Sequence, residues 1–401
     1  MMRAGLCRSL PPYPGRMSHP TRTALGSWSG GRFMHYGDPL DEQRLVELLR
    51  PGNGIDTLIT ADAYGRGDAD LLVGRALAGV PREDYRLVGA IGHDFYAGER
   101  QGAKGFPRFT DPRLRTAGEF ADYIRMATEG SLQRCGVDHF DLLLLHNPDR
   151  TGFTSSAVWE GMAAVRDAGL TDLLGVAPGP ANGYTLDVID CFERFGELID
   201  WAMIILNPFE PWPGELVLPA AEQHGVQLLT RVVDFGGIFH GDVAPGHEFA
   251  ERDHRGFRPV GWVEDGAAKL ERLLPIAARH GLTPLQLACQ WNLAQPAVAS
   301  VVPTLIQELG AGARRIEEQR ADLAALPEQL LLTDADLAEI REVGDNTGCM
   351  ALKGGSPEYD DAPVADRWPL DAELAEVAGR WSIDTDAALR RHPPAGALAS
   401  D

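Results

Sequence analysis

Short apolar runs alternate with longer amphipathic stretches along most of the chain, and this alternation carries the fold prediction. The clearest run, Phe140–His146, contains four consecutive leucines, which is typical of a strand buried on both faces of a parallel sheet. Eight such runs are predicted as strands: Thr23–Gly26, Ile55–Thr60, Arg86–Ile91, Phe140–His146, Leu173–Ala177, Trp201–Asn207, Val226–Val232 and Val298–Thr304.

The stretches between these strands place apolar residues at the spacing of an α-helix, and several are followed by a glycine that suits a helix C-terminus. Eight are predicted as helices: Asp41–Leu49, Ala69–Ala78, Gly118–Cys135, Ala157–Ala168, Leu186–Phe195, Leu216–His224, Ala267–His280 and Arg315–Leu326. Strands that alternate with helices pair in parallel through right-handed crossovers. We therefore predict one α/β domain, a (β/α)8 TIM barrel. An open doubly wound sheet is the alternative, but no Gly-x-Gly-x-x-Gly motif follows the first strand.

The barrel is predicted to span residues 21–344, with a segment outside it at each end. Residues 1–20 lack the apolar core of a signal peptide, and we expect a disordered leader in which Met17 is a candidate start. Residues 345–401 are expected to form a C-terminal extension that folds over the barrel mouth. This extension should contain a helix near Leu370–Trp381 and then end in a frayed terminus.

The composition is that of a globular protein with an acidic surface, since 44% of the residues are hydrophobic and the net charge is −21. An acidic surface repels phosphate backbones, so we expect no nucleic-acid partner. No apolar run approaches the length of a membrane span, so no membrane partner is expected either, and no pattern indicates an oligomeric state. The five scattered cysteines predict a reducing, cytoplasmic location without disulfides or a metal site.

Candidate chemistry lies where the predicted strands end, because parallel α/β folds build their sites at the C-terminal ends of strands. His146 ends the leucine-rich strand, Tyr64 follows the second strand and His93 follows the third. A structural role at the mouth of the sheet is the alternative for each of them. Residues 95–115 form a long loop after the third strand, which we expect to contribute to a site for a small-molecule substrate.

Several motifs in sequence order resemble the aldo-keto reductase superfamily, whose members are single barrels that reduce carbonyl groups with NADPH. Gly54–Gly65 resembles the second-strand motif of that family, and Gly175-Val176 resembles its fifth strand. Further matches are Asp70–Leu77, Ser131–Asp138 leading into Asp141–His146, Arg231–Gly241, and Thr283–Ala288 with Trp291. The resemblance implies the same barrel and a carbonyl substrate.

The resemblance also implies a catalytic aspartate, tyrosine, lysine and histidine, and only two of these are matched. Tyr64 and His146 stand at the tyrosine and histidine positions, whereas Ile59 and Ala90 replace the aspartate and the lysine. Losing both members of an ion pair together leaves no unpaired buried charge. Without the lysine, Tyr64 lacks an identified cation to lower its pKa, so we expect His146 to be the better proton donor.

Other polar groups near the strand ends could serve the same site. His93 is the third candidate catalytic residue, and Lys104 and Lys353 are the first candidates for a cation beside Tyr64. With Glu210 and Arg231, they could line a pocket of mixed charge suited to a polyhydroxylated, sugar-like substrate.

The cofactor implied by the resemblance is NADP, and its expected ligands are Arg231, Arg315, Glu318 and Gln319. The last three belong to a stretch that resembles the family's Arg-x-x-Glu-Asn motif, and an arginine at a helix start suits a 2′-phosphate. A solvated, charged helix face is the alternative for this stretch.

The residues expected to hold the nicotinamide ring are not kept, because Ala177-Pro178 and Met203 stand where the family has polar side chains. Three interpretations of function follow. The first is an atypical NADP-linked oxidoreductase acting on a small carbonyl or sugar-like substrate in carbohydrate metabolism. The second is a non-redox enzyme that performs elimination, isomerisation or hydration through Tyr64 and His146. The third is a non-catalytic binding protein, since fold alone does not decide function.

Overall fold

Eight parallel strands form one sheet, hydrogen-bonded in chain order, in the computed structural model of the chain. The structure describes residues 19–101, 105–179, 183–258, 260–310, 312–347 and 370–385, so most of the predicted leader lies outside the described residues. The strands are β1 Ala24–Gly26, β2 Thr57–Ile59, β3 Arg86–Ile91, β4 Phe140–His146, β5 Thr171–Ala177, β6 Trp201–Ile205, β7 Gln227–Arg231 and β8 Val298–Val302.

The sheet closes on itself beside β1 and β8. Thr23 forms a parallel bridge with Val301, and the Ser300 hydroxyl donates to the carbonyl of Thr21 at 2.7 Å. All strand pairs are parallel, from β1 with β2 through β7 with β8. The predicted (β/α)8 barrel is therefore confirmed.

Helices fill the connections between the strands, and all eight predicted helices are present with end positions shifted by a few residues. The helices are α1 Glu42–Leu49, α2 Asp68–Leu77, α3 Phe120–Cys135, α4 Arg150–Thr154, α5 Ser156–Asp167, α6 Thr185–Phe195, α7 Leu218–His224, α8 Trp262–His280, α9 Pro284–Leu293, α10 Ile316–Ala324, α11 Asp334–Val343 and α12 Ala372–Arg380.

The barrel interior is an apolar cluster formed by alternate residues of the strands. Ile59 and Ala90 belong to it, with only 1% and 4% of their surfaces exposed. Ala177 and Met203 lie in the same cluster. The positions at which the family resemblance implies an ion pair are thus occupied by dry, close-packed apolar side chains.

The described part of the C-terminal extension is α12, which packs against α6. Arg150 of α4 contacts Glu373 at 2.7 Å, and Arg380 contacts Glu193 of α6 at 2.5 Å. The remaining residues of the extension lie outside the described ranges, so its course over the barrel mouth stays a prediction. In the part of the chain that the structure describes, no helix is both long enough and apolar enough to cross a membrane.

Gly92 lets the end of β3 approach the end of β4, because a Cβ atom at this position would lie 2.3 Å from the carbonyl oxygen of His146. We expect Gly92→Ala to lower the free energy of unfolding by about 1–3 kcal/mol, because the backbone of His146 must move. Gly118→Ala is the matched control, since nothing lies within 4 Å of its Cβ position. Urea denaturation of the two variants tests this, and equal stabilities would contradict it.

Candidate functional site

Three side chains that the sequence predicted as catalytic meet at the C-terminal mouth of the barrel. The rings of Tyr64 and His146 lie edge to face with centroids 5.6 Å apart, and the rings of His146 and His93 lie 5.2 Å apart. Trp28 stands edge-on to Tyr64 at 6.4 Å. His93 and His146 are each only 7% exposed, so these groups share a small, poorly hydrated volume.

Arg108 links the long loop after β3 to His93 and to the end of β4. His93 and Arg108 form an isolated antiparallel bridge, and the His93 Nδ1 atom lies 2.9 Å from both the Phe106 carbonyl oxygen and an Arg108 guanidinium nitrogen. Arg108 also donates to the carbonyl of Asn147, directly after β4. That this loop contributes to a substrate site stays a prediction, and the contacts of Arg108 were not predicted from the sequence.

Both histidines of the cluster are held neutral. Burial, together with the charge of Arg108, lowers the pKa of His93 to about 3. Burial, His93, Arg108 and Arg231 together hold the pKa of His146 well below its ordinary value. The sequence-based expectation of an imidazole that titrates near neutrality is therefore corrected: His146 can donate a hydrogen bond but does not carry a proton charge at neutral pH.

Arg231 is the described cation that acts on Tyr64. Burial raises the pKa of Tyr64 to about 12, and the charge of Arg231 opposes that rise. The guanidinium donates to the carbonyls of Pro178 and Gly179 at 3.0 and 2.5 Å. Among the described residues, the buried Nε atom of Arg231 has no hydrogen-bond partner, and neither has the Nδ1 atom of His146. Lys104 and Lys353, the cations expected from the sequence, lie outside the described residues.

The residues predicted to bind the adenosine end of a cofactor lie around the start of α10, and their side chains differ in exposure to solvent. The side chains of Arg315 and Glu318 are 69% and 59% exposed. Gln319 is fully buried. Its amide donates to the Ile306 carbonyl at 2.7 Å and accepts from the Ile306 amide at 2.9 Å. Gln319 thus holds the loop after β8, and Arg315 is the member of the set with a guanidinium open to solvent.

Glu210 and a second cluster of acidic residues form contacts that stabilise the barrel. Glu210, expected near the site, pairs with buried Arg258 at 3.1 Å. At the opposite end of β4, His139, Asp141 and Asp172 come close enough to hold a metal ion. However, Arg82 lies between two of them, 2.9 Å from His139 Nε2 and 2.7 Å from Asp141. We assign this second cluster to the stability of the barrel base.

Burial of neutral His93 predicts a loss of stability in acid. The unfolded chain binds a proton at His93 near pH 6.5, whereas the folded chain binds it only near pH 3. Stability therefore rises with pH between these values, by up to about 1.4 kcal/mol per pH unit from this group. When the pH falls from 7 to 4.5, the free energy of unfolding of His93→Gln should decrease by about 2–3 kcal/mol less than that of the wild-type protein. Urea denaturation at both pH values measures this, and parallel losses would contradict it.

Comparison with known proteins agrees with this architecture. The model of the Aldo/keto reductase family matches residues 23–345, and the chain therefore belongs to the aldo/keto reductase family. It is 27% identical over 337 residues to the NADH-specific methylglyoxal reductase of Escherichia coli K12, covering 81% of this chain and 95% of that protein. It is also 26% identical over 333 residues to a probable voltage-gated potassium channel subunit beta of Arabidopsis thaliana, covering 80% and 93%.

Solved structures share the fold. A glycerol dehydrogenase from Gluconobacter oxydans superposes with a TM-score of 0.63 at 23% identity, covering 82% of this chain and 93% of that one. An aldo/keto reductase from Klebsiella pneumoniae in complex with NADP and acetate gives a TM-score of 0.52 at 21% identity, covering 81% and 91%. At these identities the likeness concerns the barrel alone.

Proposed function

We propose that this chain is an oxidoreductase that interconverts a small carbonyl or sugar-like substrate and its alcohol, with NADP as cofactor. The observation that carries the proposal is the edge-to-face contact of Tyr64 and His146 at 5.6 Å, with the charge of Arg231 acting on Tyr64. Two neutral hydrogen-bond donors and one fixed cation at the barrel mouth suit a substrate oxygen that gains negative charge. The relatives named as reductases support the same class.

The described side chains fit the adenosine end of NADP better than its nicotinamide end. Arg315 presents a largely exposed guanidinium at the start of α10, a place suited to a 2′-phosphate. Ala177 and Pro178 offer no side-chain hydrogen bond, and the Pro178 carbonyl already accepts one from Arg231. When bound, the cofactor would supply the hydride, and backbone groups would have to hold its nicotinamide ring.

The chain's own residues account for binding and proton transfer. The Tyr64 hydroxyl and the His146 imidazole would donate to the substrate oxygen from two sides. As Tyr64 gives up its proton, the charge of Arg231 would stabilise the phenolate that remains. The apolar layer that contains Ile59 and Ala90 excludes water below the site, which strengthens these interactions.

Titration of the protein into NADPH, followed by cofactor fluorescence, tests the redox proposal directly. We expect saturable binding, and consumption of NADPH with at least one member of a panel of small aldehydes, ketones and aldoses. Arg315→Ala should weaken NADPH more than NADH, because it removes the proposed phosphate ligand. Failure to bind either cofactor at millimolar concentration would remove the oxidoreductase interpretation.

A non-redox reaction on the same barrel is the second candidate, and the apolar residues at the nicotinamide positions favour it. Ala177, Pro178 and Met203 provide no side-chain donor there, whereas Tyr64 and His146 can move or hold protons without a cofactor. Detection of an isomerised sugar by chromatography, or of a hydrated or dehydrated sugar by mass spectrometry, in the absence of NADP would support this candidate. A protein that binds sugars but transforms none, with or without NADPH, would instead fit a binding role.

A further inference from the structure

An open cleft of about 630 Å³ lies between the turn after β2 and the loop after β3. Its lining includes Ala63 and Gly65, the two neighbours of Tyr64, together with Phe95, Tyr96 and Phe106. The Phe106 carbonyl contacts the His93 ring at 2.9 Å. The cleft therefore adjoins the cluster of Tyr64, His146 and His93, and it is large enough for a ligand of monosaccharide size.

Two arginines in this lining carry charges that the described part of the chain leaves without an ion-pair partner. The guanidinium carbons of Arg66 and Arg100 lie 5.8 and 5.9 Å from the centroid of the same ring, that of Phe106. Glu99 also lines the cleft, but no described contact pairs it with either arginine. The protein as a whole has a net charge of −21, yet at this cleft two arginine side chains lie against one aromatic ring.

The backbone conformation of one of these arginines is uncommon. Arg66 has a φ of +57° and stands between Gly65 and Gly67, which also have positive φ angles. A left-handed conformation is uncommon for arginine and is more often kept at functional sites than elsewhere. Here the turn directs Arg66 over the Phe106 ring, two residues after Tyr64.

We propose that this cleft binds the anionic group, phosphate or carboxylate, of a small phosphorylated or carboxylated carbonyl or sugar substrate. Guanidinium groups recognise both oxyanions through charge-assisted hydrogen bonds. The Phe106 ring offers an apolar face to the carbon skeleton, and the two chain neighbours of Tyr64, Ala63 and Gly65, belong to the lining. This inference rests on the proposed function because it names the substrate class of the same site.

Isothermal titration calorimetry of the full chain with glucose 6-phosphate, glucuronate and glucose tests the inference without any need for turnover. We expect at least one of the two anions to bind about tenfold tighter than glucose, the contribution typical of one charge-assisted hydrogen bond. The two anionic ligands distinguish phosphate from carboxylate as the preferred group. Equal binding of all three sugars, or no binding of either anion at millimolar concentration, would overturn the inference.

The double variant R66N/R100Q should lose this preference, since asparagine tolerates the left-handed conformation at residue 66 and keeps the turn. Arg272→Gln, on the exposed surface of α8, is the control for the loss of a surface arginine outside the cleft and should retain the preference. Retention of the preference by R66N/R100Q at an unchanged melting temperature would also overturn the inference. Preferential binding of the anions without any NADPH consumption would leave the cleft assignment standing and contradict only the redox function.

Discussion

The Tyr64→Phe variant is expected to lose about 10²- to 10⁴-fold in kcat/KM on any substrate that the wild-type protein turns over. Tyr64 is the group that can release a proton and leave an anion beside a cation, because the charge of Arg231 acts on its hydroxyl. His146 is neutral, since burial and three neighbouring groups lower its pKa. His146→Ala should therefore cost only about tenfold, as expected for the loss of one hydrogen bond to the substrate oxygen.

The sequence alone predicted the larger loss of activity for His146→Ala, because no cation beside Tyr64 was identified there. Steady-state kinetics of Tyr64→Phe and His146→Ala decide between the two orders, and a larger loss in His146→Ala would contradict the role of Arg231. Arg231→Gln should also lower kcat, because the pKa of Tyr64 then rises further. Arg231→Lys is the control that keeps the charge, and it should retain more activity than Arg231→Gln.

Removing Arg255 is expected to destabilise the folded protein by about 3–5 kcal/mol, the typical cost of leaving buried charges without a partner. The Arg255 side chain is 1% exposed and contacts Asp253 at 2.7 Å. It also contacts Glu308, whose side chain is 3% exposed. Burial alone would raise the pKa of Asp253, but the hydrogen bonds and charge of Arg255 lower it below its ordinary value. Arg255→Ala therefore leaves Asp253 without its ion-pair partner and Glu308 with only its contact to His247 at 3.1 Å.

The Arg255→Ala substitution should also loosen the loop between β7 and α8, which contains Asp253. Asp253 accepts a hydrogen bond from the Gly37 amide at 2.8 Å. That contact joins this loop to the connection after β1. Chemical denaturation measures the loss, and Arg315→Ala is the matched control. Arg315 pairs with Glu317 at the surface, so its removal should change stability by no more than about 1 kcal/mol. A similar loss in both variants would contradict the importance of burial.

The strands were predictable because parallel barrel strands are apolar on both faces, and β3 and β4 have the predicted ends. Among the helices, α9 was missed because every residue from Leu285 to Asn292 is buried. A helix buried on all sides has no polar face, so its pattern lacks the period that identifies a helix. The five-residue α4 was too short to show a period.

The sequence could predict only those site residues that lie at the ends of strands. Tyr64, His93 and His146 come together because each ends or follows a strand at the same edge of the barrel. The partners of Arg108 and Arg231 could not be predicted, since their contacts join segments far apart in sequence. The Arg-rich composition of the loop after β3 was the available signal for Arg108, but composition does not specify that it bridges to Asn147.

The junction between β1 and β8 has a consequence for the order in which the protein assembles. The hydrogen bond from Ser300 to Thr21 joins residues 279 positions apart, and the Val301 amide likewise donates to the Arg22 carbonyl. Closing so long a loop costs more chain entropy than pairing strands that are neighbours in the sequence. During synthesis on the ribosome, β1 emerges first and cannot pair with β8 until that strand has been made. The unpaired edge of β1 is therefore open to aggregation for most of the time that translation takes.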